Sequence, residues 1–443
     1  MSLPAEIVPT PTARRPLFSG GRLYYGWIQV WVVSFTELVS WGILYYAFSV
    51  LIVPMGNDLG WSRVEMTAAF SVGVLISGLF GIPVGRWVDR HGARALMTAG
   101  SIAASLLILA WSTVQTLPIF FLIWAGIGLT MATVLYEPTF VIVATWFRRD
   151  RNRALAVLTF VGGLASVVFL PLTNWLVEGL GWRDALVALA IILAATTILP
   201  HAMFVRHRPS DLSLEPDGAQ RVEGLREPSG AFGDRNQPTF DVRDATLRGA
   251  LHTPSFWWMA LSFATIWGCS VAVQIHLIPY LQDEGYSPAF AATTAGAIGL
   301  LKLPGRVIFA PVADRFGRRT VAFLVFGLHA TSIAVLAMAD SRSGLFLFIA
   351  LFSAGNGALT LMRASLVVDV FGLRAYGGIS GSIAFATQVA AGAGPLAVSL
   401  LVAAWGGYTP VFWGLALVVG LASFGIVRAG KVSGNSESSH STV

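Results

Sequence analysis

Twelve runs of about twenty mainly apolar residues recur along the chain, at roughly 24–54, 64–88, 95–113, 118–146, 154–177, 184–205, 254–282, 288–312, 320–340, 344–369, 377–402 and 408–428. A run of this length crosses the hydrocarbon core of a bilayer as a helix. Lipid offers no partner to backbone N–H and C=O groups, so spanning segments are helices or closed barrels. The short alternating strands of a barrel do not occur here. Composition agrees, since only 12% of the 443 residues are charged, against roughly 25% in soluble proteins. A 55% hydrophobic content excludes a disordered chain, and the single Cys269 excludes a disulfide scaffold. Met1 to Gly20 holds four prolines and Glu6 but no apolar core, so it does not read as a signal peptide. The expected fold is an all-α membrane protein with twelve transmembrane helices in two six-helix halves.

One long polar stretch, Arg206 to Leu251, divides the spans six and six. The expected organisation is a cytoplasmic tail at 1–23, a six-helix half at 24–205, a cytoplasmic loop at 206–253, a second half at 254–428 and a cytoplasmic tail at 429–443. Within the loop, Asp241 to Thr253 has the periodicity of a short amphipathic helix on the membrane surface, and the remainder reads as disordered. With both termini inside, the cytoplasmic segments hold 23 of the 29 Lys and Arg residues, the outer loops three (Arg63, Arg183, Arg342) and the spans three. That asymmetry orients the protein in the cytoplasmic membrane. It also excludes nucleic acid as a partner, because the net charge of +6 sits in short loops rather than along one groove.

The halves repeat. Gly60-Trp61-Ser62 returns as Gly285-Tyr286-Ser287, and Asp89-Arg90-His91-Gly92-Ala93-Arg94 as Asp314-Arg315-Phe316-Gly317-Arg318-Arg319, both 225 residues later. Gly126-Ile127-Gly128 returns as Gly355-Asn356-Gly357, and Gly181-Trp182 as Gly407-Tyr408. Two halves in the same orientation predict a binding site midway between them.

The segment Gly85-x-x-x-Asp89-Arg90-x-Gly92-x-Arg94 resembles the signature loop of the major facilitator superfamily, and Ala310 stands in place of its first glycine in the second copy. A narrower resemblance is to the monocarboxylate transporters and the oxalate/formate antiporters. It rests on Tyr25-Gly26-Trp27, on Tyr136-x-Pro138, and on Trp146-Phe147-Arg148-Arg149 with Arg153-Ala154-Leu155-Ala156. Phe371-Gly372-x-Arg374, the glycines Gly377, Gly381, Gly392 and Gly394-Pro395, and Arg306 complete it. Arg306 stands where that branch places its anion-binding arginine, while Lys302 replaces the branch's acidic residue one turn earlier. The branch's lysine in span one and the oxalate exchangers' lysine in span eleven are missing. The resemblance implies that Gly85, Asp89, Arg90, Gly92 and Arg94, with Asp314, Arg315 and Gly317, form a gating latch that stabilises the outward-open state. The residue-level alternative is a loop whose arginines only set topology.

A charge inside a span costs about 2.5–3.5 kcal/mol even on the insertion scale, so Glu37, Glu137, Lys302, Arg306 and Arg363 need a reason to be there. Lys302 and Arg306 stack on one helical face, yet their repeat mates are Ser77 and Gly81. These cations therefore belong to the second half alone. They read as an anion site, in which Arg306 forks onto a carboxylate and Lys302 adds a point charge. The competing reading is a structural cluster with Glu137 or Glu37. Glu137, just before Pro138, reads either as a proton carrier or as the ion-pair partner of Arg363. Glu37 shares a face with Trp41 and Tyr45 and is a second proton-coupling candidate. Tyr136 and Tyr45, with Arg363, complete the expected substrate-binding set. Gln274 and His276 lie in the outer half of span seven, where the histidine reads as a helix-packing residue rather than a proton relay, and Asp369 reads as a cap or gate.

No catalytic, cofactor or metal-ligating pattern occurs, so the chain does not read as an enzyme. The expected function is secondary transport of a small organic anion, a monocarboxylate foremost, by alternating access. A proton would accompany the solute or another anion would exchange for it, and the monomer would be the working unit. The alternative is movement of a neutral or drug-like metabolite by the same fold.

Overall fold

The computed structural model describes residues 18–19, 22–218, 246–371 and 376–429. Among them run twelve long helices. In the first half these are α1 Tyr25–Leu59, α2 Arg63–His91, α3 Arg94–Ser112, α4 Leu117–Trp146, α5 Arg153–Leu180 and α6 Trp182–Phe204. The second half holds α7 Pro254–Asp283, α8 Pro288–Phe316, α9 Arg318–Ala337, α10 Arg342–Phe371, α11 Tyr376–Trp405 and α12 Tyr408–Arg428. Eleven are long and apolar enough to cross a membrane. The other, α8, is 29 residues long and carries Lys302 and Arg306. Helix starts fall within two residues of the apolar runs and ends within five. A two-residue antiparallel ladder, Phe18–Ser19 with Arg22–Leu23, precedes α1.

The repeat glycines explain themselves in the backbone. Gly92 (φ +80°) and Gly317 (φ +84°) turn the chain from α2 into α3 and from α8 into α9, in a left-handed region that a Cβ disfavours. The second glycine of each Gly-x-Gly pair sits where two helices touch backbone to backbone. A Cβ on Gly128 of α4 would lie 2.1 Å from the Gly73 carbonyl oxygen of α2. On Gly357 of α10 it would lie 2.1 Å from the Lys302 carbonyl oxygen of α8. Small residues at such crossings are how helices associate in lipid, where apolar burial drives little.

Each half has its own core. In the first, Phe48 stacks on Phe70 at 4.7 Å and meets Trp124 edge-on at 5.0 Å, with Trp111 a further 5.2 Å from Trp124. In the second, Phe326, Phe348, Phe352 and Phe371 are fully buried, and that cluster reaches across to take in Val50 and Leu170. The outward faces carry exposed apolar residues such as Leu122 (72%), Trp175 and Leu417, as lipid contact requires. The halves meet along three seams, α2 with α11, α5 with α8, and the second part of α1 with α7.

The disorder expected after α6 does not extend over residues 206–218. The N–H groups that open α5 need acceptors, and the Asp217 carboxylate takes those of Arg148, Arg149 and Asp150 at 2.9, 2.8 and 3.2 Å. Trp146 donates to the Arg206 carbonyl at 3.2 Å, and Tyr24 donates to the Trp146 carbonyl at 3.0 Å. The surface helix expected at 241–253 is a single turn, Leu247–Leu251, with 241–245 outside the described residues. Gly372 and Arg374 of the family motif, and the side chains of Asp89, Arg306 and Asp314, also lie outside them.

The Gly357 contact makes a stability prediction. Gly357→Ala forces α10 away from α8 and destabilises the protein by about 1–3 kcal/mol, visible as a lowered melting temperature in detergent. Wild-type stability in this variant would mean that the backbone contact is not tight.

Candidate functional site

Two helices of the first half depart from regular geometry where they touch each other. α1 widens into a π turn at Gly42–Tyr46. α4 breaks at Leu135, whose extended backbone (φ −91°, ψ −159°) separates Leu117–Val134 from Tyr136–Trp146. Pro138 is the cause, because it lacks the N–H that would bond the Val134 carbonyl and its ring would collide with that carbonyl. The sequence predicts a bend at Pro138; the structure answers with a full break three residues earlier. Tyr136 and Glu137 therefore open a new helix.

Around this break lie the expected first-half residues. Glu37 is fully buried, and its Oε1 accepts a 2.8 Å bond from Thr139 Oγ1. Its Oε2 has no partner among the described residues. The Trp41 ring bridges Tyr45 at 5.2 Å and Tyr136 at 5.3 Å. Tyr45 is buried, packed edge-on against Tyr46 and Phe70. Tyr136 stacks on Phe140 at 5.1 Å, and its hydroxyl reaches over Gly162 of α5. Glu137 is exposed and lies beside Gly81 of α2.

The second half carries half-buried cations, one of which acts on this wall. Arg363 of α10 is half-buried, donates to Thr387 Oγ1 at 3.3 Å and acts electrostatically on Glu137 across the cleft. Lys302 of α8 is half-buried and donates to Gln274 Oε1 at 2.8 Å. Gln274 passes the chain on to the Ser270 carbonyl at 3.0 Å, and Ser270 Oγ lies 2.8 Å from His329 Nε2. The Gln274 amide, given no role by the sequence, thus orients the Lys302 ammonium. Among the described residues no three His, Cys, Asp or Glu side chains could hold a metal ion.

The expected gate residues occupy the arginine-rich end of the molecule. Arg94 Nε donates to the Ala202 carbonyl at 2.6 Å, tying α3 to α6. Arg90 is exposed, and the Arg315 guanidinium lies 5.6 Å from the Phe316 ring centre. Asp369 pairs with Arg318, joining α10 to α9. Gly85 of α2 and Gly381 of α11 both face open space, so the halves stand apart at this end.

At the opposite end they are fastened. Arg63, at the start of α2, forms two bonds to Asp283, at the end of α7, at 2.5 and 2.7 Å. Arg63 also donates to the Tyr408 hydroxyl at 3.3 Å. The Tyr408 hydroxyl lies 3.0 Å from His276 Nδ1, and His276 Nε2 lies 2.9 Å from the Pro395 carbonyl. A carbonyl only accepts, so Nε2 carries the proton and Nδ1 accepts from Tyr408. Ser399 Oγ, 3.2 Å from His276 Nε2, meets Thr67 Oγ1 of the first half at 2.7 Å. Below this network Gly392 presses on Leu75 and Gly78 on Gln388, while Gly296 and Gly299 of α8 press on α5 at Ser166 and Gly163. The result is a cleft closed at one end and open at the arginine-rich end, with Glu137 and Arg363 on its two sides. Sequence reasoning missed this fastening. Its one signal was Arg63, among the few basic residues outside the arginine-rich segments.

Comparison with known proteins agrees with this architecture. A family model described as Major Facilitator Superfamily matches residues 30–301 and 277–439. Monocarboxylate transporter 13 of Bos taurus is 25% identical over 360 residues, which cover 79% of this chain and 76% of that protein. An uncharacterized MFS-type transporter of Bacillus subtilis (strain 168) is 23% identical over 420 residues, 89% of this chain and 94% of its own. Among solved structures, a bacterial homolog of the human lysosomal transporter Spinster, inward-facing and unoccupied, aligns with a TM-score of 0.66 at 16% identity, covering 92% of this chain and 95% of the other. The nucleoside transporter NupG aligns with a TM-score of 0.70 at 12% identity, covering 92% and 100%. At these identities the solved structures speak to the fold alone.

The fastened end carries a prediction. Arg63 and Asp283 are partly exposed, with side-chain accessibilities of 32% and 45%, so their pair is worth no more than about 1 kcal/mol. Arg63→Ala should raise the population open at that end by up to roughly fivefold. Spin-label distances between the α1–α2 and α7–α8 turns would read the change. The charge swap Arg63→Asp with Asp283→Arg should restore the wild-type distribution. An unchanged distribution in the single variant would make the pair incidental.

Proposed function

For a multi-pass membrane protein that belongs to the major facilitator superfamily, we propose secondary active transport of a small organic anion, a monocarboxylate foremost. One observation carries this reading. A half-buried cation of the second half, Arg363, acts across the halves on Glu137 of a broken helix, and Lys302 is half-buried on the neighbouring α8. The N-terminus of the helix after the break bears Tyr136 and Glu137.

Cations at this depth are costly, and a carboxylate between the halves gives them a counter-charge. The broken helix turns the positive end of its dipole into the cleft, as discontinuous helices do around anionic solutes. Arg306, one turn beyond Lys302 on α8, is the proposed fork for the carboxylate. Tyr136 offers a hydroxyl to it and, with Trp41, an apolar wall; Tyr45 supports that wall from behind. The similarity to a protein named a monocarboxylate transporter supports the solute class.

Glu137 is the proposed proton carrier, because it is exposed in the cleft and also senses Arg363. A solute anion arriving at Arg363 weakens the hold of that arginine on Glu137 and favours its protonation. Glu37, with one carboxylate oxygen unbonded among the described residues, is the second proton site. Exchange of one anion for another uses the same residues without the proton.

The arginine-rich end is proposed to face the cytoplasm, in the cytoplasmic membrane with both termini inside. The cleft described above is then the inward-open state, with Arg63–Asp283 closing the outer side. The signature loop, through Asp89 and Asp314, would fasten the cytoplasmic side in the outward-open state. One chain contains both gates and the whole site, so the monomer is the proposed working unit.

The experiment compares ligand-induced thermal stabilisation across carboxylates and neutral analogues of each. Arg306→Lys should weaken carboxylate binding roughly tenfold, since an ammonium cannot make two parallel hydrogen bonds. Lys302→Ala should weaken it less, as loss of a charge partly screened by cavity water. Equal responses to acids and neutral analogues in wild type and Arg306→Lys would refute the anion reading and favour a neutral metabolite. In proteoliposomes, Glu137→Gln should abolish uphill accumulation while solute exchange remains measurable. Loss of both activities in a folded variant would remove Glu137 as the proton carrier.

A further inference from the structure

Where α3 begins and α6 ends, a groove of about 560 Å³ opens on the flank of the first half, away from the cleft. Its mouth is basic. Arg94 and Arg206 line it together with His91 and His207, and the Trp87 ring covers His91 at 4.5 Å. Arg94 is held across the seam by the Ala202 carbonyl. The one acid in the lining, Asp211, already accepts the Arg208 backbone N–H at 3.0 Å.

Behind the mouth the wall changes character. Ala95, Ala99 and Ile102 fall on one exposed face of α3 and lead from the arginines toward the middle of the membrane span. Beside them the last turn of α6 exposes Met203 and Phe204. A cationic mouth at the end of a span, continuous with an apolar trench on the lipid-facing surface, matches one kind of molecule. Such basic pockets between helices on the cytoplasmic side hold anionic lipid head groups.

We propose that this groove is a binding site for one anionic phospholipid. The phosphate lies between Arg94 and Arg206, His207 donates a further hydrogen bond, and an acyl chain lies along Ala95, Ala99 and Ile102. The site is separate from the solute cleft and does not depend on which solute is carried. It has a mechanical meaning as well. The lipid would bridge α3 to α6 at the turn that follows the signature loop, so the composition of the inner leaflet would bear on the gate.

The test is lipid retention by the purified full-length protein, read by native mass spectrometry after exchange from bilayers of phosphatidylglycerol and phosphatidylcholine. Wild type should keep phosphatidylglycerol in preference to phosphatidylcholine. Arg206→Gln should lower that retention roughly fivefold, and Arg206→Lys should return most of it. Ile102→Trp, at an exposed position, fills the trench and should displace the lipid even if Arg206→Gln fails to fold. Equal retention of the two lipids, or retention untouched by Arg206→Gln and Ile102→Trp alike, overturns the proposal. Displacement of the lipid by millimolar inorganic phosphate as readily as by phosphatidylglycerol also overturns it, because the groove would then be an ion site without use for the chain.

Discussion

Every backbone polar group inside a bilayer must find its partner within the protein, and that constraint orders the rest of this structure. It turns apolar runs into helices and leaves few places where a helix can be interrupted. The interruptions that exist are informative for that reason. Trp41, just before the π turn of α1, rests on Tyr136, just past the break of α4, and the backbone of both irregular turns is covered by protein, with Gly42 to Tyr45 and Leu135 buried. Irregular backbone at this depth is tolerated only where protein or water covers it. The break of α4 is also where Glu137 begins a new helix and comes under the influence of Arg363 of the other half.

The cleft is asymmetric in chemistry as well as in shape. One wall is aromatic and acidic, built on α1 and α4. The other is cationic, built on α8 and α10. The two walls belong to bodies with separate cores, joined along three seams and fastened near one end by Arg63, Asp283, Tyr408 and Thr67. Rocking of one body on the other changes the spacing between the walls while leaving each wall intact. Lys302 and Arg363 stay with one body, and Glu137 stays with the other.

Much of this was legible in the sequence, and the reason is local. Span limits depend on runs of apolar residues, and the repeat Gly92/Gly317 depends on a backbone conformation that glycine alone adopts cheaply. The membrane fold and its family followed from these. What could not be read were pairings between residues far apart in the chain. Gln274 looks like filler until Lys302 is placed above it, 28 residues later. Arg63 stands out as one of the few basic residues outside the arginine-rich segments, but its partner Asp283 is brought to it only by the closing of two halves. Asp217 sits in a stretch with the composition of disorder, and only the unbonded N–H groups at the head of α5 explain why it is held. The break of α4 was half-legible, since Pro138 announces trouble for the Val134 carbonyl without saying where the chain will yield.

Gly357 deserves a last consequence. Because α10 rests directly on the carbonyl of Lys302, the two helices have no layer of side chains between them to act as a bearing. They cannot slide past each other by rotamer changes, as helices separated by leucines can. Lys302 and Arg363 therefore stand on two helices that meet backbone to backbone. The spacing of these two cations is therefore a property of one half alone, whereas their distance from Glu137 is a property of how the halves are set against each other.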